Sequence, residues 1–231
     1  MILSIETSTT VTSAALHHEG KLLAFEINHT PNTAASLLAV MIDKLLKQHV
    51  SAVATREGGP GKLDAVAVSS GPGSYTGLRI GVATAKGICY ALGLPLISVN
   101  SLELMSSQVN SQLETRNSFL CPMIDARRME VYTMLLDEKM NVIEPVQARI
   151  IDENSYAHIK EKIIFFGNGA MKCRGIITNP NAVFIDNIFP SAEWMGGVAF
   201  ERFREGKFED AGDFEPLYLK DFIAKKPKSL V

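Results

Sequence analysis

Met1-Ile-Leu-Ser-Ile-Glu6 opens the chain as a short apolar run that ends in an acid, and Phe119-Leu-Cys-Pro-Met-Ile-Asp125 repeats that form in the second half. Two further apolar stretches follow each run: Val11–His18 and Leu22–Asn28 in the first half, and Met129–Leu136 and Val142–Ile151 in the second. Short turns separate the stretches, so each half predicts three consecutive antiparallel strands. Placing Glu6 over Asp125 aligns the two halves without a gap through the second strand. The sequence therefore predicts an internal duplication.

Helices and glycine-rich turns complete each predicted unit. The further elements are a helix over 34–46, a loop over 55–62, a strand over Leu63–Ser69, a helix over 76–92, a strand over Leu96–Val99, a strand over Ile163–Phe166 that runs into Gly167–Ala170, and a closing helix from Ser191 to Gly206. This gives a β-β-β-α-β-α unit twice. We expect a first lobe over 1–103, a smaller second lobe over 104–190, and a segment, 191–231, that can pack back on the first lobe.

Composition excludes several classes of protein. The chain has 231 residues, of which 46% are hydrophobic, and 23 basic residues stand against 25 acidic ones, for a net charge of −2. A protein that binds nucleic acid through its overall electrostatic field needs a large excess of basic residues, and this chain has no such excess. No uncharged stretch is long enough to cross a bilayer, and no basic start of a secretory signal is present. Cys89, Cys121 and Cys173 lack Cys-x-x-Cys spacing, so we expect reduced thiols in a cytoplasmic protein.

Two such units, each with an acid at the end of its first strand, predict an α/β fold with two lobes. This is the plan of the actin, sugar-kinase and Hsp70 superfamily, an actin-like (ASKHA, RNase H-like) fold. In that superfamily the two acids face each other across a cleft and hold the phosphates of a metal-bound nucleotide. The likeness concerns the fold and does not supply a function.

In both halves, the turn after the acid, which would bind phosphate in such a fold, looks degenerate. Glycine is needed where backbone N–H groups approach phosphate oxygens closely. The turn at 7–10 has no glycine, and the turn at 126–128 has none either and carries two arginines. The degenerate nucleotide cleft that we predict consists of Glu6, Thr7, Asp125, Arg127, Gly167 and Gly169. A standalone actin-fold ATPase or small-molecule kinase stays open as an alternative reading.

The glycine-rich turn after the Leu63–Ser69 strand fits no common motif. The segment lacks the lysine of a P-loop and the third glycine of a dinucleotide fingerprint. It also lacks both flanking glycines of a nucleophile elbow. What remains is a strand-to-helix turn that is either an anion seat or a tight turn whose glycines permit close packing. The candidate residues are Gly71, Pro72, Gly73, Ser74, Tyr75 and Thr76, with Arg79 one turn further on as a candidate phosphate or interface contact.

The helix over 76–92 carries small residues four apart, at Gly77, Gly81, Ala85 and Cys89. Such a stripe lets another helix approach closely, and its alternative role is packing against the chain's own sheet. Because the 34–46 helix is also apolar over most of its surface, we expect a face left over for a partner. The predicted interface consists of Leu38, Met41, Ile42, Leu45, Gly77, Leu78, Gly81, Val82, Ala85 and Cys89. On this reading, Gly81→Leu weakens association and leaves the monomer folded.

Metal and nucleophile sites find little support in the sequence. The five histidines show no metal-binding spacing. No Ser/His/Asp set can be identified by spacing. We therefore predict no metal site, no catalytic residue and no peptidase activity.

The glycine-rich segment and three other stretches resemble the TsaB family, also called YeaZ. The similar stretches are Ser70–Val82 with its continuation to Leu102, Ile2–Ser8, Asp125–Tyr132 and Pro216–Leu219. The resemblance implies an accessory subunit without catalysis of its own, acting in threonylcarbamoyladenosine synthesis on bacterial tRNA. It also implies a heterodimer with a TsaD-like transferase through the first two helices, a TsaE-like ATPase that joins the pair, indirect contact with tRNA, and a homodimer when the partner is absent. ATP, ADP and metal would then belong to the partners or their junction.

One departure from the family pattern lies at the start of the first helix. Many members have a His-Ser-Glu stretch there, related to the metal-binding histidines of the catalytic relative. Here the region reads Pro31-Asn-Thr-Ala-Ala-Ser36. Metal binding at this helix start is therefore not expected.

Overall fold

The computed structural model describes residues 1–49 and 62–220. The predicted loop at 55–62, apart from Lys62, and the basic tail beyond Lys220 lie outside the described residues. None of the described helices is both long and apolar enough to span a membrane.

The first lobe is a five-stranded sheet with helices packed on it. Its elements are β1 (Ile2–Glu6), β2 (Thr12–His18), β3 (Lys21–Asn28), α1 (Ala34–His49), β4 (Ala65–Gly71), α2 (Tyr75–Leu92), β5 (Leu96–Asn100) and α3 (Ser101–Gln112). The strand order is β3-β2-β1-β4-β5, and β1 pairs antiparallel with β2 and parallel with β4. β1 and β4 are buried on both faces, which explains their nearly continuous apolar sequence.

The second lobe repeats this topology. Its elements are β6 (Ser118–Asp125), β7 (Glu130–Leu136), β8 (Val142–Ile150), β9 (Lys162–Phe166), α4 (Asn168–Cys173) and β10 (Ala182–Ile185). A 3-10 turn (Ala192–Trp194) and α5 (Gly196–Arg204) follow in the chain and pack on the first lobe. Read from β8, the order is β8-β7-β6-β9-β10, which matches that of the first lobe strand for strand. The predicted two-lobed, actin-like fold is confirmed.

The repeat unit departs from the prediction in its helices. Between β8 and β9 the chain forms turns instead of a helix, and the Asp152 carboxylate accepts hydrogen bonds there from the Asn154 N–H and the Ser155 hydroxyl. The unit β-β-β-α-β-α therefore describes the first lobe only. The closing helix is also interrupted: Ser191 caps a 3-10 turn, and α5 begins after it.

Helix α3, which the sequence analysis missed, connects the two lobes. Leu104 packs in the core of the first lobe with Ile2 and Ala65, whereas Leu102 and Met105 pack in a core of the second lobe. The expected lobe boundary at residue 103 falls inside this helix. The segment after residue 190 packs on the first lobe, because α5 contacts β1 and β5.

The predicted interface residues lie inside the chain's own core, so their assignment as a partner surface is wrong. Leu38, Met41, Ile42, Leu45, Gly77, Leu78, Gly81, Val82, Ala85 and Cys89 are all buried. Most of the apolar members pack in the core of the first lobe, and a Cβ on Gly77 or Gly81 would come closer than 3.0 Å to atoms of Thr7 at the end of β1. The small residues thus let α2 approach the end of β1. Gly81→Leu is then expected to unfold the monomer.

Candidate functional site

A cleft of about 790 Å³ lies between the two lobes. It is lined by parts of the 8–12 turn, the glycine-rich turn at 72–77, the β6–β7 turn at 124–128, and a C-terminal stretch at 217–220. The duplication explains this meeting, because the ends of β1 and β6 occupy equivalent positions in the two sheets. The cleft is therefore the place where the predicted site segments come together.

The glycine-rich turn packs tightly against the end of β1. The Ser74 N–H donates to the Ser8 carbonyl at 2.6 Å, and the Thr7 hydroxyl donates to the Gly77 carbonyl at 2.8 Å. A Cβ on Gly73 would come closer than 3.0 Å to the Ser8 carbonyl oxygen. Close packing thus requires these glycines. The Ser74 N–H of the predicted anion seat is thus already used, and the N–H of the neighbouring Gly77 donates to the Ser74 hydroxyl.

Some residues of the predicted anion seat line the cleft, and others do not. Pro72, Gly73, Ser74, Tyr75 and Thr76 line the cleft, whereas Gly71 is buried below it with φ at +98°. Arg79 is exposed, and its guanidinium donates to the Tyr75 hydroxyl at 2.8 Å and lies 5.0 Å from the centre of that ring. Its role as a phosphate or interface contact stays a prediction.

Glu6 does not face the cleft as an open carboxylate. The side chain is fully buried, and its Oε1 accepts a hydrogen bond from the Ser8 N–H. Burial raises the pKa of Glu6, and the nearby hydroxyls of Ser8 and Ser69 and the Ser8 N–H oppose that rise. Oε2 has no partner of hydrogen-bond geometry in the described part of the chain. Because the carboxyl is fully buried, it does not present an open ligand to a metal ion in the cleft. Glu6 and Thr7, also buried, are thus wrong as cleft residues.

Asp125, the counterpart of Glu6, lines the cleft but is already neutralised. It forms an ion pair with Lys172 of α4, which also donates to the carbonyls of Arg128 and Glu130. The Arg127 N–H donates to the same carboxylate at 2.8 Å. Three acceptors therefore hold the Lys172 ammonium beside the Asp125 carboxylate.

The second glycine turn repeats the packing role of the first. Cβ atoms on Gly167 and Gly169 would come closer than 3.0 Å to main-chain atoms of β6, and both glycines are buried. Asn168, between them, lines the cleft and accepts the Asp125 N–H at 3.0 Å. The cleft residue of this turn is therefore Asn168, and the prediction of Gly167 and Gly169 as cleft residues is wrong.

Two arginines stand on strained backbone at the lip of the cleft. Arg127 and Arg128 have φ values of +69° and +53°, and both are exposed. Residues other than glycine, asparagine and aspartate rarely adopt this left-handed conformation. Both arginines line the cleft.

A C-terminal strap, residues 209–220, forms one wall of the cleft. It begins at β5, where the Glu209 N–H donates to the Leu96 carbonyl at 2.9 Å. It then crosses α2, where Lys86 donates to the carbonyls of Gly212 and Phe214.

The end of the strap reaches both lobes. The Leu217 N–H donates to the Ser70 carbonyl at 2.7 Å, and the Tyr218 ring packs on Tyr75 with 4.8 Å between ring centres. Lys220 forms an ion pair with Glu130 in the second lobe. The strap thus ties the glycine-rich turn to the β6–β7 turn.

The residues present do not fit the metal-bound nucleotide that the fold implies. One of the two acids is buried and the other is paired with a lysine. Across residues 1–49 and 62–220, no group of three or more His, Cys, Asp or Glu side chains is placed to hold a metal ion. The three cysteines are buried, and burial raises the pKa of the Cys89 thiol to about 11 and that of Cys121 to about 12, which does not favour a thiolate nucleophile.

A second surface lies on the outer sides of α1 and α2, opposite the buried stripe. On α2, Ala83, Gly87 and Tyr90 share one exposed face, and Tyr90 is 92% exposed. On α1, Val40 is 61% exposed. We call these four residues the outer helix face. None of these four residues was among the predicted interface residues.

Comparison with known proteins identifies the family. A family model described as tRNA N6-adenosine threonylcarbamoyltransferase, TsaD, matches residues 29–228. The tRNA threonylcarbamoyladenosine biosynthesis protein TsaB of Bacillus subtilis (strain 168) is 32% identical over 233 residues, which cover 96% of this chain and 93% of the relative. The chain belongs to the TsaB family. The TsaB protein of Escherichia coli (strain K12) is 28% identical over 234 residues, covering 97% of this chain and 96% of the relative.

The solved structures agree with this family at the level of the fold. YeaZ from Pseudomonas aeruginosa superimposes with a TM-score of 0.79 at 24% identity, covering 94% of this chain and 99% of that one. The resemblance to the TsaB (YeaZ) family drawn from the sequence is confirmed.

Sequence reasoning missed several cleft residues. Arg128 and Tyr132 lie in the Asp125–Tyr132 stretch, of which only Asp125 and Arg127 were predicted as cleft residues. Tyr218 and Lys220 lie in the 191–231 segment, for which no cleft residue was predicted. The Pro216–Leu219 stretch was a signal that this tail matters. Nothing in the sequence indicated that it crosses to the second lobe.

Proposed function

We propose that this TsaB-family chain is a non-catalytic accessory subunit in the biosynthesis of threonylcarbamoyladenosine in tRNA. It pairs with a TsaD-like transferase, a TsaE-like ATPase joins the pair, and tRNA is contacted through the complex. The observation that carries the proposal is the match, over nearly its whole length, to relatives named for this biosynthesis.

The outer helix face is the surface that we assign to the transferase. Protein interfaces are enriched in aromatic residues, and tyrosine is among the residues that contribute most of the binding energy. Tyr90 supplies such an anchor, and around it Gly87 has no neighbouring atom within 4 Å of an added Cβ. A partner helix could therefore approach α2 closely at Gly87. The same face would form the homodimer when the transferase is absent.

The state of the two acids supports a subunit without chemistry of its own. Phosphoryl transfer needs metal ions and preorganised charges at the phosphates. Glu6 is buried and Asp125 is engaged by Lys172, so neither is available to a metal ion. ATP, ADP and metal accordingly belong to the partners or to their junction with this chain. The alternative of a standalone ATPase or kinase is left without a supporting observation.

Association can be tested by light scattering with a TsaD-like transferase, with and without ATP. Two exposed valines form a matched pair of sites: Val40 on α1 is 61% exposed, and Val142 on β8 is 56% exposed. We expect Val40→Arg to weaken association by at least tenfold, because a charge is then buried without a partner. Val142→Arg should bind as the unchanged chain does.

Two results would count against this proposal. One is equal binding by the Val40→Arg and Val142→Arg chains, which would remove the outer helix face from the interface. The other is steady ATP hydrolysis by the purified chain alone, which would favour the standalone enzyme.

A further inference from the structure

The two lobes are joined in two separate places. Helix α3 joins them away from the cleft, because its side chains pack in cores of both lobes and none of its residues lines the cleft. The C-terminal strap joins them again at the cleft, where residues 217–220 form part of the wall. Two domains that share one short connection can move about it as a hinge, and a second connection across the opening restricts that motion.

Most of the strap is fixed to the first lobe. Ala211 and Phe214 pack against the core of that lobe, and Lys86 of α2 donates to the carbonyls of Gly212 and Phe214 at 2.9 and 3.1 Å. Main-chain hydrogen bonds to β5 and to β4 hold the strap on either side of this packing. Because these contacts are of several kinds and spread along the segment, the strap moves together with the first lobe.

The attachment of the strap to the second lobe depends on one side chain. Among the described residues, every hydrogen bond and ion pair between the strap and the second lobe belongs to Lys220. Its ammonium donates to the Ala126 carbonyl at 3.2 Å, forms an ion pair with the Glu130 carboxylate, and lies 5.7 Å from the centre of the Tyr132 ring. One lysine thus engages the β6–β7 turn and the strand that follows it.

The part of the second lobe that receives Lys220 is tied to its own lobe. Lys172 of α4 pairs with the Asp125 carboxylate and donates to the carbonyls of Arg128 and Glu130. The β6–β7 turn is therefore fastened to α4 on one side and to the strap on the other. A contact made at Glu130 consequently constrains the whole lobe and not the turn alone.

We propose that the contact of Lys220 with Ala126 and Glu130 is an interlobe latch, which fixes the angle between the two lobes when it is closed. The Lys220 and Glu130 side chains are 34% and 26% exposed, so water and salt reach the ion pair. Ion pairs of this kind are weak and are screened by salt, and the latch therefore opens reversibly. It is a property of the chain alone and does not rest on pairing with a transferase.

The angle between the lobes can be followed with spin labels on Val40→Cys and Val142→Cys, which are exposed positions in different lobes. The native cysteines are buried, so the labels attach to the introduced ones. We expect one narrow distribution of distances for the otherwise unchanged chain and a wider one when Lys220→Met is added. Amide hydrogen exchange over residues 126–132 should also become about fivefold faster in that variant.

The remaining variants separate the latch from a general loss of charge. Glu130→Gln should widen the distribution as Lys220→Met does, and the two changes together should widen it no further. Lys220→Arg keeps the charge and should keep the narrow distribution. The matched control is Lys47→Met, which breaks the exposed ion pair with Asp43 within α1 and should change neither readout.

Salt provides a test that needs no change at the latch. About 1 M NaCl should widen the distribution of the labelled chain and leave that of the Lys220→Met chain as it is. The proposal is overturned if Lys220→Met leaves the distribution narrow and the exchange unchanged, or if Lys47→Met has an equal effect. It is equally overturned if salt widens the distribution with and without Lys220.

Discussion

Replacing Gly81 by alanine is expected to destabilise the folded chain, because this glycine faces the end of β1. An added Cβ would come closer than 3.0 Å to the Thr7 hydroxyl oxygen. That hydroxyl is buried and donates to the Gly77 carbonyl at 2.8 Å, so it cannot turn away without losing the bond. Overpacking of this kind lowers the free energy of unfolding by about 1–3 kcal/mol.

Gly87, on the outer side of the same helix, is the matched control. An added Cβ there meets no atom within 4 Å. Alanine in an exposed helix position is more stable than glycine by about 0.5–1 kcal/mol. Gly81→Ala and Gly87→Ala should therefore shift the free energy of unfolding in opposite directions, and urea denaturation followed by circular dichroism measures both.

A double variant separates the steric cause from other effects. Thr7→Ala removes the hydroxyl and so makes room for the methyl group at position 81. The two changes together should cost less than the sum of their separate effects, with a coupling of about 1 kcal/mol or more. The reasoning is refuted if Gly81→Ala is as stable as Gly87→Ala and instead loses association with a transferase, since the stripe would then face a partner.

Three further predictions concern buried groups of the first lobe. Because the pKa of Glu6 is raised, its carboxyl opposes folding increasingly as the pH rises from 4.5, so Glu6→Gln should gain stability relative to the unchanged chain towards neutral pH in urea denaturation. Burial lowers the pKa of His17, so stability should fall as the pH drops below 6.5, and His17→Gln should remove that loss in the same assay. Gly196→Ala, whose Cβ would strike the His17 ring, should lower the melting temperature, whereas Gly197→Ala, in open space, should not.

The duplicated topology could be predicted from the sequence because both sheets are built around an apolar strand that ends in an acid. Helix α3 could not, because Ser101–Gln112 is rich in polar residues and carries apolar side chains for two different cores. The helix expected in the second lobe was carried over from the first by analogy. Turns stabilised by Asp152 stand in its place.

The candidate site was predictable in its turns but not in its contacts. Spacing revealed a stripe of small residues on α2, yet the atoms that fill it belong to Thr7, which lies 70 positions before Gly77 in the chain. The same holds for Asp125, whose neutralising partner Lys172 lies 47 positions away. Which residue satisfies a buried or charged group is decided by tertiary packing, and one sequence does not contain that information in its spacing.

The central claim is that the chain enables a transferase and does no chemistry itself. The most direct measurement is threonylcarbamoyladenosine formation on tRNA in a reconstituted reaction that contains a TsaD-like transferase and a TsaE-like ATPase, with and without this chain. We predict that modification depends on the chain, is restored by Val142→Arg and is not restored by Val40→Arg. Modification that proceeds equally well without the chain, or that the chain performs alone, would contradict this account.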